Sequence, residues 1–88
     1  MGDNGLEKIF GSKGKIKILK VIYGRGQANI TRIVRETGLN HKSVVKHLRE
    51  LVEIGVVEET VLGRIKLYSI NFSNPLTFAL RDILLSME

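Results

Sequence analysis

A chain of 88 residues with no cysteine, 43% hydrophobic and 26% charged, is expected to form a single domain over residues 1–88, too small for a second core and so small that a partner subunit is expected to add buried surface. It has no run of about 18 apolar residues, no secretory signal and no lipidation motif, so no membrane partner is expected and a cytoplasmic location is the expectation. The net charge of +5 is concentrated, because residues 11–50 hold ten Lys or Arg against only Glu36 and Glu50; such a footprint suits a polyanion, the alternative being a solvated lysine face that keeps a small domain in solution.

Residues 1–11 form an N-terminal segment. Residues 1–5 are polar and glycine-containing, as in a frayed end, and Leu6, Ile9 and Phe10 follow as an apolar cluster where helix can begin. Ser12 can cap a helix running to about Tyr23, with Ile16, Leu19, Ile22 and either Ile18 or Tyr23 inward, Lys13, Lys15, Lys17 and Lys20 outward, and Gly24–Gly26 ending it. Thr31 can cap a second, two-turn helix with Ile33 and Val34 inward, closed by Gly38. Asn40 can cap a third over His41 to Glu53, closed by Gly55, with Val44, Leu48 and Leu51 facing a core while Lys42, Lys46 and Arg49 share another face. Two helices joined through Gly38 and Leu39 make a helix-turn-helix.

The period then changes. Val56–Thr60 and Ile65–Ile70 are rich in β-branched and aromatic residues around a turn near Leu62 and Gly63, as in a hairpin. Ser73 or Asn74 next caps a helix over residues 74–87, with Pro75 at its first position, where a missing N–H costs nothing. In that helix Leu76, Leu80, Ile83, Leu84 and Met87 form one stripe, and Phe78, Ala79 and Leu85 carry apolar character further round. A helix apolar over most of its circumference is expected to be covered on two sides, by its own domain and by a second subunit. The expected dimer interface is therefore Leu6, Ile9, Phe10, Leu76, Phe78, Leu80, Ile83, Leu84 and Met87. The alternative is that this helix only completes a monomer core.

The stretch from KIKILKVIYG through GLNHKSVVKHLRELVEIGVVEE to the Gly–Arg turn and LYSI, about residues 12–70, resembles the winged helix-turn-helix domains of archaeal and bacterial transcriptional regulators, most closely the ArsR-like and MarR-like groups. The resemblance rests on the order and spacing of these pieces together. It implies a mainly α fold with a small antiparallel β-hairpin wing, in the order α-α-α-β-β-α, and a third helix that enters the major groove of double-stranded DNA. Without cysteine, the thiolate metal sensing of some members is out of reach.

Carried onto this sequence, the family role falls on the outward residues His41, Lys42, Ser43, Val45, Lys46 and Arg49. Their chemistry agrees: a major groove about 12 Å wide admits a helix, Lys and Arg donate to guanine O6 and N7, Ser serves either base type, and Val45 can touch a thymine methyl. Lys42, Ser43, Val45 and Lys46 are placed near bases, and Arg49, a turn later, at a phosphate. Helix starts at Thr31 and Asn40 are natural phosphate partners, and Arg64 and Lys66 resemble wing residues on the backbone or an adjacent minor groove. Each has a plainer reading. Lys46 and Arg49 suit a solvated face, with Arg49 paired to Glu53; Val45 suits the core; Thr31 and Asn40 can be caps and nothing more.

His41 and His47 lie six residues apart on different faces of one helix, wrong for joint metal ligation, so no metal and no cofactor are expected. His47 is expected to pack partly against the wing or the second helix, as the HL dipeptide of the resembling family implies, the alternative being a titrating sensor. No phosphate-binding glycine loop, nucleophile elbow or paired acid beside a nucleophile is present, so an enzyme is the least expected class. The expectation is a homodimeric, sequence-specific DNA-binding regulator with no appended effector domain. The alternatives are an architectural DNA binder with little base discrimination and a protein-interaction winged helix inside a larger transcription complex.

Overall fold

The computed structural model describes residues 5–87, and the fraying expected of residues 1–4 lies outside them. Gly5 does not fray. It is buried, at φ 89, against the side chain of Ile54, which any Cβ at this position would strike. This close approach seats helix α1 (Leu6–Phe10), whose Ile9 is fully buried.

Helix α2 (Lys13–Arg25) starts as its sequence demands: Ser12 has extended backbone angles and its Oγ accepts from the Lys15 N–H at 3.1 Å. The helix continues through Gly24 and Arg25 and stops at Gly26, whose N–H donates to the Ile22 carbonyl. Ile18, Leu19 and Ile22 are buried, whereas Ile16 and Tyr23 are half-buried. Lys15, expected outward, is 6% exposed. The reason is its place on the helix: residues 15, 18, 19 and 22 form one i, i+3, i+4, i+7 stripe, and the lysine stem follows the stripe inward.

A strand absent from the expected order comes next. Strand β1 (Gln27–Asn29) buries Ala28 and pairs with β3. It also moves the start of α3 (Ile30–Thr37), because the extended Asn29, not Thr31, supplies the cap: its Oδ1 accepts from the Arg32 N–H at 2.8 Å. Thr31 sits inside the first turn with its side chain exposed. Gly38 ends α3, and Asn40 caps α4 (His41–Ile54) by accepting from the Ser43 N–H at 2.8 Å. Val44, Leu48 and Leu51 of α4 are buried. At its far end the Gly55 carbonyl accepts from the side-chain amides of Asn71 and Asn74, at 3.0 and 3.2 Å.

Strands β2 (Val57–Leu62) and β3 (Ile65–Ile70) pair antiparallel from Val57↔Ile70 to Leu62↔Ile65, leaving a two-residue turn in which Gly63 takes φ 62. The turn lies one residue beyond the expected position and lengthens β2 to Leu62. With β1 the hairpin forms a three-stranded antiparallel sheet of order β1-β3-β2, in place of the two-stranded one expected.

Helix α5 (Leu76–Ser86) follows Pro75, which already has helical angles, and Asn74 rather than Ser73 caps it, its Oδ1 accepting from the Leu76 N–H at 3.0 Å. Thr77, Leu80 and Leu84 of α5 are buried in the core with Ile9, Ile18, Leu19, Ile22, Leu51 and Tyr68. Tyr23 holds α5 to α2 by donating its hydroxyl proton to the Thr77 carbonyl at 2.7 Å, and burial pushes that phenol up to about 12. Among the described residues no helix is long and apolar enough to cross a membrane.

Candidate nucleic-acid interface

The apolar stripe of α4 fixes which residues remain outside. Turning about 100° per residue, a helix with Val44, Leu48 and Leu51 inward presents Lys42, Lys46 and Arg49 within a sector of about 60° on the far side; all three are exposed. His41 is exposed as well, and Ser43 and Val45 are half-buried at the margins.

Beside this sector the wing closes a cleft of about 730 Å³. One wall is α4, with His41, Val45, Arg49, Val52 and Glu53. The other is the hairpin, with Glu59, Arg64, Ile65, Lys66 and Tyr68, and the junction of β1 and α3 adds Asn29, Ile30 and Thr31. The structure thus brings Thr31, His41, Val45, Arg49, Arg64 and Lys66 of the expected set around one opening. Lys42, Ser43 and Lys46 do not line it, and the cap Asn40 is exposed at the start of α4. Val45 is neither free nor a core residue. It forms part of the cleft wall.

Charge is distributed unevenly around the opening. The two acids within residues 11–50 are both engaged away from the cleft. Glu36 bridges Arg25 and Arg32, and hydrogen bonding from Arg25, with help from Arg32, holds its carboxyl below the usual range. Glu50 pairs with Lys15 at 2.6 Å, and hydrogen bonding from that ammonium lowers its carboxyl likewise. Lys42, Lys46, Arg49, Arg64 and Lys66 have no carboxylate at ion-pair distance among the described residues, and the pairing of Arg49 with Glu53 is not formed. Cations with no partner on their own chain are the groups that neutralise phosphates.

Two acids do face the cleft, Glu53 and Glu59, and sequence reading missed both as site residues. Glu59 is held: Tyr68, its cross-strand neighbour, donates its hydroxyl proton to Oε2 at 2.6 Å. Burial first, then the adjacent carboxylate, pushes that phenol up to about 12. The alternation of β2 and β3 placed Glu59 and Tyr68 on a common face, which was the signal available in the sequence.

His47 is placed on the face of α4 that meets α2. It packs on the N-terminal turn of α2, with Nδ1 3.2 Å from the Lys15 ammonium and Nε2 2.6 Å from where a Cβ on Gly14 would stand. An ammonium only donates, so in this contact Nδ1 is the acceptor, and the same nitrogen lies 3.9 Å from Glu50 Oε1. Burial, followed by the charge of Lys15, holds its pKa below the ordinary histidine value. Among the described residues no cluster of His, Asp or Glu could hold a metal ion.

The expected dimer residues divide. Ile9, Leu80 and Leu84 are 0%, 0% and 3% exposed within the single chain, so they are core and not available to a partner. Leu6 and Leu76 are half-buried. Phe10, Phe78, Ile83 and Met87 remain exposed, joined by Leu85 and by Phe72, whose ring lies 5.4 Å from that of Phe78. The reason for the division is that α5 turns Thr77, Leu80 and Leu84, spaced i, i+3, i+7, toward its own domain.

No protein-family model matches the chain, and no curated protein matches it. Solved structures do. The antimony-specific transcriptional repressor AntR, 17% identical, superposes over 93% of this chain and 72% of its own with a TM-score of 0.79. The transcriptional repressor PagR of Bacillus anthracis is 26% identical over 90% of this chain and 87% of its own, at a TM-score of 0.75. A homodimeric winged helix-turn-helix DNA-binding domain from Mycobacterium bovis, described as a possible ArsR-family transcriptional regulator, is 23% identical over 91% and 74%, at 0.73. The chain therefore has the winged helix-turn-helix fold.

Proposed function

We propose that this chain is a sequence-specific double-stranded DNA-binding transcriptional regulator, not an enzyme, working as a homodimer with α4 in the major groove and the wing on the backbone or in the minor groove. The observation that carries the reading is the shared exposure of Lys42, Lys46 and Arg49 on α4 beside Arg64 and Lys66 on the wing, none paired with a carboxylate among the described residues. Lys42, Ser43 and Lys46 meet bases, Arg49 and the helix starts at Asn29 and Asn40, with Thr31 in the first turn of α3, meet phosphates, and Arg64 and Lys66 meet the backbone or an adjacent minor groove.

In this reading residues 1–88 act as one domain, and α5 with α1 forms the dimer seam through Phe10, Phe78, Ile83 and Met87, to which Phe72 and Leu85 add. Two copies related by a two-fold axis present their α4 helices about 34 Å apart, one DNA turn.

The test is selection from a randomised duplex pool at two salt concentrations, followed by sequencing of the retained fraction. Enrichment of a short inverted repeat with steep salt dependence supports the regulator. Salt-sensitive retention without enrichment replaces it by an architectural binder, and no retention at either salt by a protein-interaction module.

A further inference from the structure

The wing ends in apolar side chains. Leu62 and Ile65, the last cross-strand pair, are 57% and 53% exposed, and Arg64 stands between them in the turn. Leu67 is half-buried and still paired with Asn29 of β1, so the free ribbon is the two rungs Val61↔Lys66 and Leu62↔Ile65 with the turn beyond them. At about 3.3 Å per residue the two rungs project about 7 Å, close to the 7.5 Å depth of a minor groove.

From these features we infer that the wing tip is a minor-groove wedge: Leu62 and Ile65 press against a base step and kink it, while Arg64 reaches the acceptor-lined floor and Lys66 a flanking phosphate. The inference rests on the DNA-binding reading above. Charge complementarity selects the occupant, since Arg64 and Lys66 stand at the same tip as the apolar pair and Arg64, Ile65 and Lys66 all line the cleft beside α4. Width makes deformation obligatory. Paired strands lie about 4.8 Å apart before side chains are added, and an undistorted minor groove is about 6 Å wide. A tip carrying Leu62 on one strand and Ile65 on the other enters only if the groove opens, and apolar side chains at a partly unstacked step are the usual means of opening it.

The opening is easiest at pyrimidine–purine steps, TA and CA/TG, and hardest in A-tracts, whose minor groove is narrow and stiff. The wing therefore contributes sequence preference by deformability at a position flanking the bases that α4 reads.

The experiment measures DNA bending by energy transfer between the ends of a labelled duplex selected from the pool, with the wild-type protein and the double variant Leu62→Ser/Ile65→Ser. Both positions are more than half exposed, so the variant is expected to fold, and its melting curve checks this. Wild type is expected to bend the duplex; the double variant should bind about tenfold more weakly, with an unchanged salt slope and most of the bend lost. Arg64→Ala should instead reduce the salt slope. Replacing a TA or CA step under the wing by an A-tract should weaken wild type and leave the double variant indifferent. Salt-sensitive binding by wild type without a bend, or an equal bend in the double variant, overturns the wedge and leaves the regulator standing. A wild-type chain that associates through the tip, with the double variant losing that association instead of the bend, also overturns it. No salt-sensitive binding by wild type removes the DNA reading and the wedge together.

Discussion

Helices α4 and α5 are built alike on the inside and unlike on the outside. Each turns three side chains into the core at helical spacing, Val44, Leu48 and Leu51 in α4 and Thr77, Leu80 and Leu84 in α5. Away from the core α4 carries Lys42, Lys46 and Arg49, whereas α5 carries Phe78, Ile83 and Leu85, with Met87 at its C-cap. The core stripe says where a helix sits; the other face says what it meets. A cationic face suits a polyanion that keeps its own water and counterions until contact. An apolar face of several large side chains suits another protein surface.

The contrast within α5 breaks most severely at Leu80. Leu80→Glu buries an unpaired charge and should cost about 3–5 kcal/mol or more, enough to unfold a chain of this size, seen as loss of the helical circular dichroism signal. Three residues along, Ile83→Glu should leave the fold intact and weaken self-association about 30-fold or more, the size of a 2 kcal/mol hot spot. Sedimentation across a dilution series checks this, and an undisturbed dimer would remove α5 from the seam.

The outer face of α4 is tested next. Lys46→Ala should cost about 1–3 kcal/mol of DNA affinity and relax discrimination at one base pair if it reads a base, but weaken all sequences alike if it holds a phosphate. Unchanged affinity would take it out of the interface. Asn40→Ala removes the cap of the same helix and should lower stability by about 1 kcal/mol, a fall of about 4–8 °C in Tm for a domain this small.

The smallest effect expected is one of pH. With its native pKa held below the ordinary histidine value, His47 takes up a proton less readily in the folded chain than in the unfolded one. Its contribution to stability is therefore present above about pH 6.5 and is lost as pH falls toward the lowered native value. The facing groups are Lys15 from α2 and Lys46 and Glu50 from α4. Tm should fall between pH 7.5 and 5.5, and His47→Gln should flatten that part of the curve. An equal slope in the variant would place the titration elsewhere.

Local chemistry made much of this legible in the sequence. Ser12, Asn40, Gly38 and Gly55 punctuate the helices because cap geometry is decided within a few residues. Strand β1 was not legible: Gln27–Asn29 has no strand composition of its own and is extended because β3 lies alongside to pair with it. The error over the α3 cap follows from the same omission, since Asn29 becomes the cap only because the chain arrives extended. Lys15 was misplaced by its charge, although its position on the stripe pointed inward. In α5 the apolar set was visible, but a helix apolar on two sides does not disclose which side meets its own core. That Ile9, Leu80 and Leu84 are interior is decided by packing. The cations of the cleft, Arg49, Arg64 and Lys66, were legible by type from α4 and the wing, whereas Glu53 and Glu59 were missed and the meeting of all five depends on how the hairpin folds back over the helix.

Strand β1 reaches only residues 67–69 of β3. The wing is therefore three strands wide at its root and two strands wide from Lys66 to the tip, a cantilever clamped at Leu67. A load on the turn passes down two strands and is spread into three only at Leu67, next to Tyr68 and Ile70, which are buried in the core.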